Sequence, residues 1–452
     1  MSFSRRQVLA GLAGVGVLGL GGTAVRYWLG RPHDLATHDY QLIAAPLDVE
    51  LVAGQPSTLW AYGGQAPGVE LRCRQGDRLR VRFINQLSEP TTIHWHGIRL
   101  PIDMDGVPYI SQLPVRPGEH FDYDFVCPDA GSFWYHPHTA SSEQLGRGLV
   151  GPLVVEEREG NAFRHERTLC LKTWAVDEQG AFMPLLVPRE AARAGTRGRL
   201  ATVNGQPRPV VDLPAGEVVR LRLLNVDSNI TYTLNLPAAE ARIYALDGNP
   251  VAPRGIPAKG LRLGPGMRVD LALRVPASGE LALRDGPLRL ATLRAVGAPA
   301  EASDWPAPLP ANPIAEPDLQ RAELLRFNFE WAASLADPAD PVYWQINGKA
   351  WQSPAPGCAA QPIARLRLGG HYLFELRNLS QYLHPIHLHG MTFKVVWSDR
   401  QVIEPWYTDT YLLGKNETAR IALVADNPGL WMFHCHVVDH METGLMAAIE
   451  VA

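Results

Sequence analysis

Three stretches of the chain share one alternation of apolar and polar residues. Gly76-Asp-Arg-Leu-Arg-Val-Arg-Phe-Ile-Asn85, Gly216-Glu-Val-Val-Arg-Leu-Arg-Leu-Leu-Asn225 and Gly369-Gly-His-Tyr-Leu-Phe-Glu-Leu-Arg-Asn378 each open at a Gly turn and end in Asn nine residues later. Alternation with period two predicts a strand with one buried and one wet face. The three starts are 140 and 153 residues apart, the spacing of a domain repeat. Short strands between regular turn signals predict an all-β chain, each unit a Greek-key β-sandwich or barrel. The expected units run over 36–158, 162–298 and 318–452. The Pro/Ala-rich stretch 299–317 between the last two reads as an extended linker over the surface. Arg189–Arg199, an Arg/Ala/Gly stretch in the middle unit, reads as a solvated loop.

Composition sharpens this picture. A length of 452 residues suits about three domains. With 46% hydrophobic and only 19% charged residues, disorder is excluded for most of the chain. Gly (41) and Pro (38) make up about 17% of the sequence, the composition of a turn-rich β protein. A net charge of -4 leaves no basic footprint for nucleic acid. Five cysteines are too few for a disulfide scaffold of this size. Cys73, Cys127, Cys170 and Cys358 could pair in an oxidising compartment, with no spacing that selects a partner.

The first 30 residues read as an address. Arg5-Arg6 precedes an uncharged run rich in Gly, Ala, Leu and Val that lasts to Val25, the layout of a twin-arginine signal. The expectation is an exported, periplasmic protein whose partner at this end is the export machinery. No clear cleavage site follows, so an uncleaved segment would leave a membrane tether.

The histidines carry the chemistry. Counting nine and eleven residues past the three Asn positions reaches His94 and His96, then Leu234 and Leu236, then His387 and His389. A second landmark repeats likewise: Gly131, Gly279 and Gly429 stand five residues before His136, Arg284 and His434. The outer units thus carry His94/His96, His136/His138, His387/His389 and His434/His436. No histidine occurs between His165 and His371. On a strand, residues two apart face one side, so each pair presents two imidazoles together. Eight imidazoles in one place exceed the needs of one metal and suit a cluster of two or three ions. Cys435 lies between His434 and His436 and therefore points to the opposite face. With His384, expected outside the His387/His389 strand, and His440 it completes a His2Cys set, the donor set of blue copper. Zinc does not explain the adjoining imidazoles. One metal that takes electrons singly, beside three that hold O2, would store the four electrons that reduction to water needs.

At this point a resemblance is plain. His94-Trp-His-Gly97, His136-Pro-His138, His384-Pro-Ile-His-Leu-His389 and His434-Cys-His-Val-Val-Asp-His440 resemble the four copper motifs of three-domain multicopper oxidases, the laccase family. The resemblance covers nearly everything after residue 36. It implies three cupredoxin-like domains and four copper ions. His384, Cys435 and His440 would hold the type 1 copper, and His94 and His387 the type 2 copper. His96, His136 and His436 would hold one type 3 copper, and His138, His389 and His434 the other. His440 would be the electron entry, and Asp105 stands where the family has an acid that delivers protons to reduced oxygen. Two positions depart from the pattern. Leu445 occupies the place of an axial Met, which predicts a three-coordinate type 1 site; a shifted loop that lets the adjacent Met446 serve instead is the alternative. Met441 follows His440 where some relatives carry an acid, and Glu442 comes one residue later.

The expected activity is one-electron oxidation of phenols or aromatic amines, with small-molecule donors and O2 as partners. Oxidation of Cu(I) or another metal ion in copper tolerance is the alternative. It is weakened by only eight dispersed methionines, since thioethers suit Cu(I). A copper-free structural protein of the same fold would not need the complete ligand set. Trp95, Trp134 and Trp431 are expected to be core packing, and His33, His38, His120, His165 and His371 receive no role.

Overall fold

The computed structural model describes residues 36–160, 162–301, 304–332, 342–351 and 360–452. The leader at 1–30, His33 and Cys358 lie outside them. The described chain is almost entirely β, in six sheets that come as three pairs. Among the described residues, no helix is long and apolar enough to cross a membrane.

The alternating segments form the strands Arg78–Asn85, Val218–Asn225 and His371–Asn378. Each occupies the same place in its sheet. A preceding strand lies parallel to it (Thr37–Val52, His165–Trp174, Glu323–Trp331). A later strand lies antiparallel on the other side (His120–Val126, Arg268–Arg274, Thr418–Val424). Neighbours so far apart in sequence require the chain to cross between paired sheets, which is Greek-key connectivity.

The recurring Asn ends each strand with the same knot. Asn85 Nδ2 donates to the carbonyls of Glu89 and Val115, and its Oδ1 accepts from Leu87 N. Asn225 does this with Ile230, Leu263 and Asp227, and Asn378 with Tyr382, Gly414 and Ser380. A buried amide that satisfies three backbone groups fixes the turn after the strand, and hence where the next strand begins. In the outer units that next strand bears the histidines.

One expectation fails instructively. Alternation in 218–225 predicts a wet face, yet every residue of that strand is buried. Arg220 pairs with Asp270 (2.6 Å) and Glu157 (2.7 Å), and Arg222 with Glu166 (3.0 Å) and Ser132 Oγ (2.9 Å). The polar face packs against Ser132 of another sheet pair instead of water, and paired carboxylates make burial of two guanidiniums tolerable.

The core is divided unevenly. One apolar cluster runs from Leu42 through Phe133 to Cys435 and Val451, while residues between Leu169 and Leu293 form a separate one. Residues 304–322 carry no strand or helix but are tied down. Asn312 exchanges hydrogen bonds with Ala130, and Pro313 O accepts from Arg99.

Candidate metal centre

The histidine motifs sit on short strands at one end of the outer sheets. His94–His96 pairs with Gly131–His136, opposing His94 to His136. His384–Leu388 pairs with Gly429–Cys435, opposing His387 to His434. His384 thus opens the same strand that carries His387, against the expectation that it lies outside it. Three residues of separation still turn the two rings to opposite faces.

The two halves meet ring to ring. His94 stacks on His389 with centroids 3.8 Å apart, and His96 on His387 at 3.9 Å. His138, His389 and His434 bring their ligand atoms within 4.8 Å of one another, as do His94, His96 and His136. The ring of His436 lies 4.8 Å from that of His96 and 5.3 Å from that of His136. On the far face of the strand, Cys435 Sγ lies 3.5 Å from His384 Nδ1 and 3.6 Å from His440 Nδ1. His384 Nδ1 and His440 Nδ1 are 3.1 Å apart.

Hydrogen bonding fixes which nitrogen six of the eight cluster rings offer. A carbonyl only accepts, so a ring nitrogen facing one must carry the proton. The Nδ1–H groups of His94, His136, His387 and His434 donate to the carbonyls of Asp105, Pro137, Asp409 and Cys435. Nδ1–H of His389 donates to Asp105 Oδ2 at 3.0 Å. Lone pairs are therefore left on Nε2. His96 is reversed: its Nε2 faces Asp409 Oδ1 at 3.3 Å, which leaves the lone pair on Nδ1.

The unpartnered ring nitrogens test the fit to a metal. Nε2 of His94, His136, His138 and His387, Nδ1 of His96 and both nitrogens of His436 are buried without a protein partner. Nε2 of His389 and Nε2 of His434, each a lone-pair nitrogen, face one another at 3.1 Å. Buried acceptors turned on each other are costly unless a cation lies among them. Burial holds His434 and His440 down to about 3, so the rings stay neutral, as ligation requires. Burial also pushes the Cys435 thiol up, so a thiolate here needs a metal's charge. The donor set fits copper.

Sequence reasoning missed the groups that hold this array. Asp409 sits between His387 and His96, and Arg268 of the middle unit grips it at 2.8 and 2.7 Å. Against the pull of burial, Arg268 and His387 hold its carboxyl well below the usual range. Thr410 Oγ1 lies 3.0 Å from His387 Nδ1, and Ser380 Oγ lies 2.9 Å from His384 Nε2. No spacing relates these residues to the motifs. Asp105 stands between the halves, its Oδ1 3.1 Å from His94 Nδ1 and its Oδ2 on His389.

The remaining expectations divide. Met446 is in register with His434, so it shares that residue's face, away from Cys435. Leu445 belongs to the cluster that contains Cys435. Glu442 accepts from Ser142 N. Trp95, Trp134 and Trp431 lie buried in apolar clusters as expected, and Trp134 also stacks on His136 at 4.3 Å. Cys73, Cys127 and Cys170 are free thiols. The Arg189–Arg199 stretch is not simply solvated: Arg193 O accepts from His440 Nε2 at 2.8 Å, because Gly195 and Thr196 fold inward against Asn229 and Asp439.

Comparison with known proteins agrees with this geometry. Family models described as multicopper oxidase match residues 45–160 and 335–452. The crystal structure of a multi-copper oxidase from Pseudomonas thermotolerans is 68% identical, with a TM-score of 0.89 over 93% of this chain and all of that one. Multicopper oxidase MmcO of Mycobacterium tuberculosis is 28% identical, over 93% of this chain and 88% of the relative. A copper resistance protein A homolog of Pseudomonas syringae pv. tomato is 25% identical over 99% of both. Laccase-1 of Fomitopsis schrenkii is 26% identical over 90% and 85%. Paired Greek-key sheets of cupredoxin type, a buried thiol with two imidazoles, and eight more imidazoles behind it place this chain in the multicopper oxidase family, as a copper-binding oxidoreductase.

Proposed function

We propose that this chain is a laccase-type oxidase that takes single electrons from phenols or aromatic amines and reduces O2 to two waters with four copper ions. Copper supplies single-electron acceptance at the cysteine site and four-electron oxygen chemistry at the imidazole cluster. In this reading His384, Cys435 and His440 hold the type 1 ion, and His94 and His387 the type 2 ion. His96, His136 and His436 hold one type 3 ion, and His138, His389 and His434 the other.

One observation carries the reading. Consecutive residues His434, Cys435 and His436 send their side chains alternately to the two centres, so the Cys435 backbone is a covalent path between them. The protein's own groups do the rest. Nδ1 hydrogen bonds hold the ring lone pairs inward. Asp105 bridges the two halves and is the acid placed to pass protons to reduced oxygen. Leu445, which cannot coordinate, would give a type 1 ion held by His384, Cys435 and His440 a raised potential. The Arg5-Arg6 motif supports export to the periplasm in the folded, metal-loaded state.

Copper analysis of the purified protein tests this. About four copper ions per chain, an intense blue absorption and O2 uptake with a phenol are expected. Two or fewer ions, or no O2 uptake, would refute it. The relative named for copper resistance favours a second reading, oxidation of Cu(I). Faster O2 uptake with Cu(I) than with any phenol would select that alternative.

A further inference from the structure

The segment Pro188–Arg199 covers the outer edge of His440, and its anchors all converge there. Trp344 Nε1 donates to Ala191 O at 2.9 Å, and His440 Nε2 to Arg193 O at 2.8 Å. Thr196 N and Oγ1 donate to Asp439 Oδ2 at 2.7 and 2.6 Å, and Asn229 Nδ2 to Thr196 O at 2.9 Å. Gly195, at φ +88°, leaves no room for a side chain beside Asn229. Trp344 in turn packs on the rings of His384 and His440 at 4.9 and 4.5 Å. These contacts use backbone groups and Thr196, and none of the arginine side chains.

His440 is fully buried, so an electron donor cannot touch its ring. A donor on the outer face of this cover would stand one hydrogen bond from His440 through the Arg193 carbonyl. That face is basic. Arg189, Arg193, Arg197 and Arg199 are all exposed and form no ion pair among the described residues. Glu190, the one acid of the segment, accepts from Arg197 N at 3.1 Å. Four positive charges against one negative give the cover +3, on a chain whose net charge is -4. It contains no Met or Cys that would attract a soft metal ion.

We infer that Pro188–Arg199 is the donor-docking surface and that its arginines select small anionic aromatic donors, namely phenols bearing a carboxylate or sulfonate. The inference rests on the reading of His440 as electron entry. A guanidinium binds a carboxylate through two parallel hydrogen bonds and stacks on an aromatic face, so one arginine can recognise both parts of such a donor. A cationic donor, Cu(I) included, meets repulsion at the same place. The redox step balances as in the parent reaction. Four phenols each lose one electron to the protein and one proton to water, and one O2 takes up four electrons and four protons to give two waters.

Steady-state kinetics on the copper-loaded enzyme test this, with three phenols of matched reduction potential. One bears a carboxylate, one a neutral amide and one a quaternary ammonium. At low ionic strength kcat/KM should fall in that order, by about tenfold from first to last, mainly through KM. High salt should erase the order. In the combined variant R189Q/R193Q/R197Q/R199Q the anionic-to-cationic ratio should collapse towards one, with the blue absorption reporting an intact type 1 site. A ratio near one in the unmodified enzyme, a ratio indifferent to salt, or one that survives in the variant would overturn the inference. Should the variant fail to fold, the salt dependence of the unmodified enzyme decides. Turnover of the neutral phenol without a charge order sinks the inference alone. No turnover of any phenol sinks the phenol-oxidising reading with it.

Discussion

The middle and third repeat units place the same frame in opposite service. Both end their central strand in the Asn knot, and in both the position nine residues later lies on a short strand. In the third unit that strand delivers His387 to the imidazole cluster, and His389 follows directly after its end. In the middle unit the same positions hold Leu234 and Leu236, buried in the unit's own apolar core. The fold therefore fixes where two side chains point, and only their chemistry decides whether the place is packed or ligating. Leucines satisfy themselves by leaving water. Imidazoles with inward lone pairs do not, and need partners from another unit together with a cation. The middle unit is still not a bystander. Its Arg268 reaches across to Asp409, and its 188–199 segment caps His440.

Three experiments would break or sharpen this contrast, in decreasing order of effect. C435S should remove the blue absorption and lower phenol oxidation by about a thousandfold or more, while thermal unfolding of the protein persists. Loss of the fold instead would mean that Cys435 serves packing before chemistry. R268M strands Asp409 and Asp247 as buried carboxylates without their shared cation. It should cost about 3–5 kcal/mol in chemical denaturation and lower the copper content. An unchanged midpoint would show that the middle unit only fills space.

The third is a set of parallel variants. N85A, N225A and N378A each delete three comparable hydrogen bonds, so each should cost about 1–3 kcal/mol. Only N378A should also alter the blue absorption, because Asn378 fixes Ser380 and Ser380 Oγ meets His384 Nε2. A spectrum untouched in N378A would uncouple the knot from the metal site.

Much of the candidate site is legible in the sequence because the repeat makes it redundant. Four His-x-His pairs recur in a frame set by Gly and Asn, one of them encloses Cys435, and period-two geometry says which side chains share a face. What escaped is long-range. Asp409 meets His96, 313 residues earlier in the chain, and is itself held by an arginine of a third region. No local pattern encodes that meeting. The wet face expected of 218–225 failed for the same reason: alternation states which residues are alike and leaves open what covers them. The Arg189–Arg199 stretch reads as solvent-facing by composition, and its four guanidiniums are. Its backbone is committed to His440 and Asp439, a fact that no side-chain pattern reveals.

By itself the sequence determined the strand periodicity, the threefold frame, the set of ten imidazoles and one thiol, and the opposite facing of His434 and Cys435. Those follow from local stereochemistry, which acts over a few residues. Tertiary structure alone decided which nitrogen each ring offers, which carboxylates hold the rings, and what stands between His440 and solvent. Each of those depends on a hydrogen-bond partner or a covering segment brought from a distant part of the chain, and burial gives such contacts their strength.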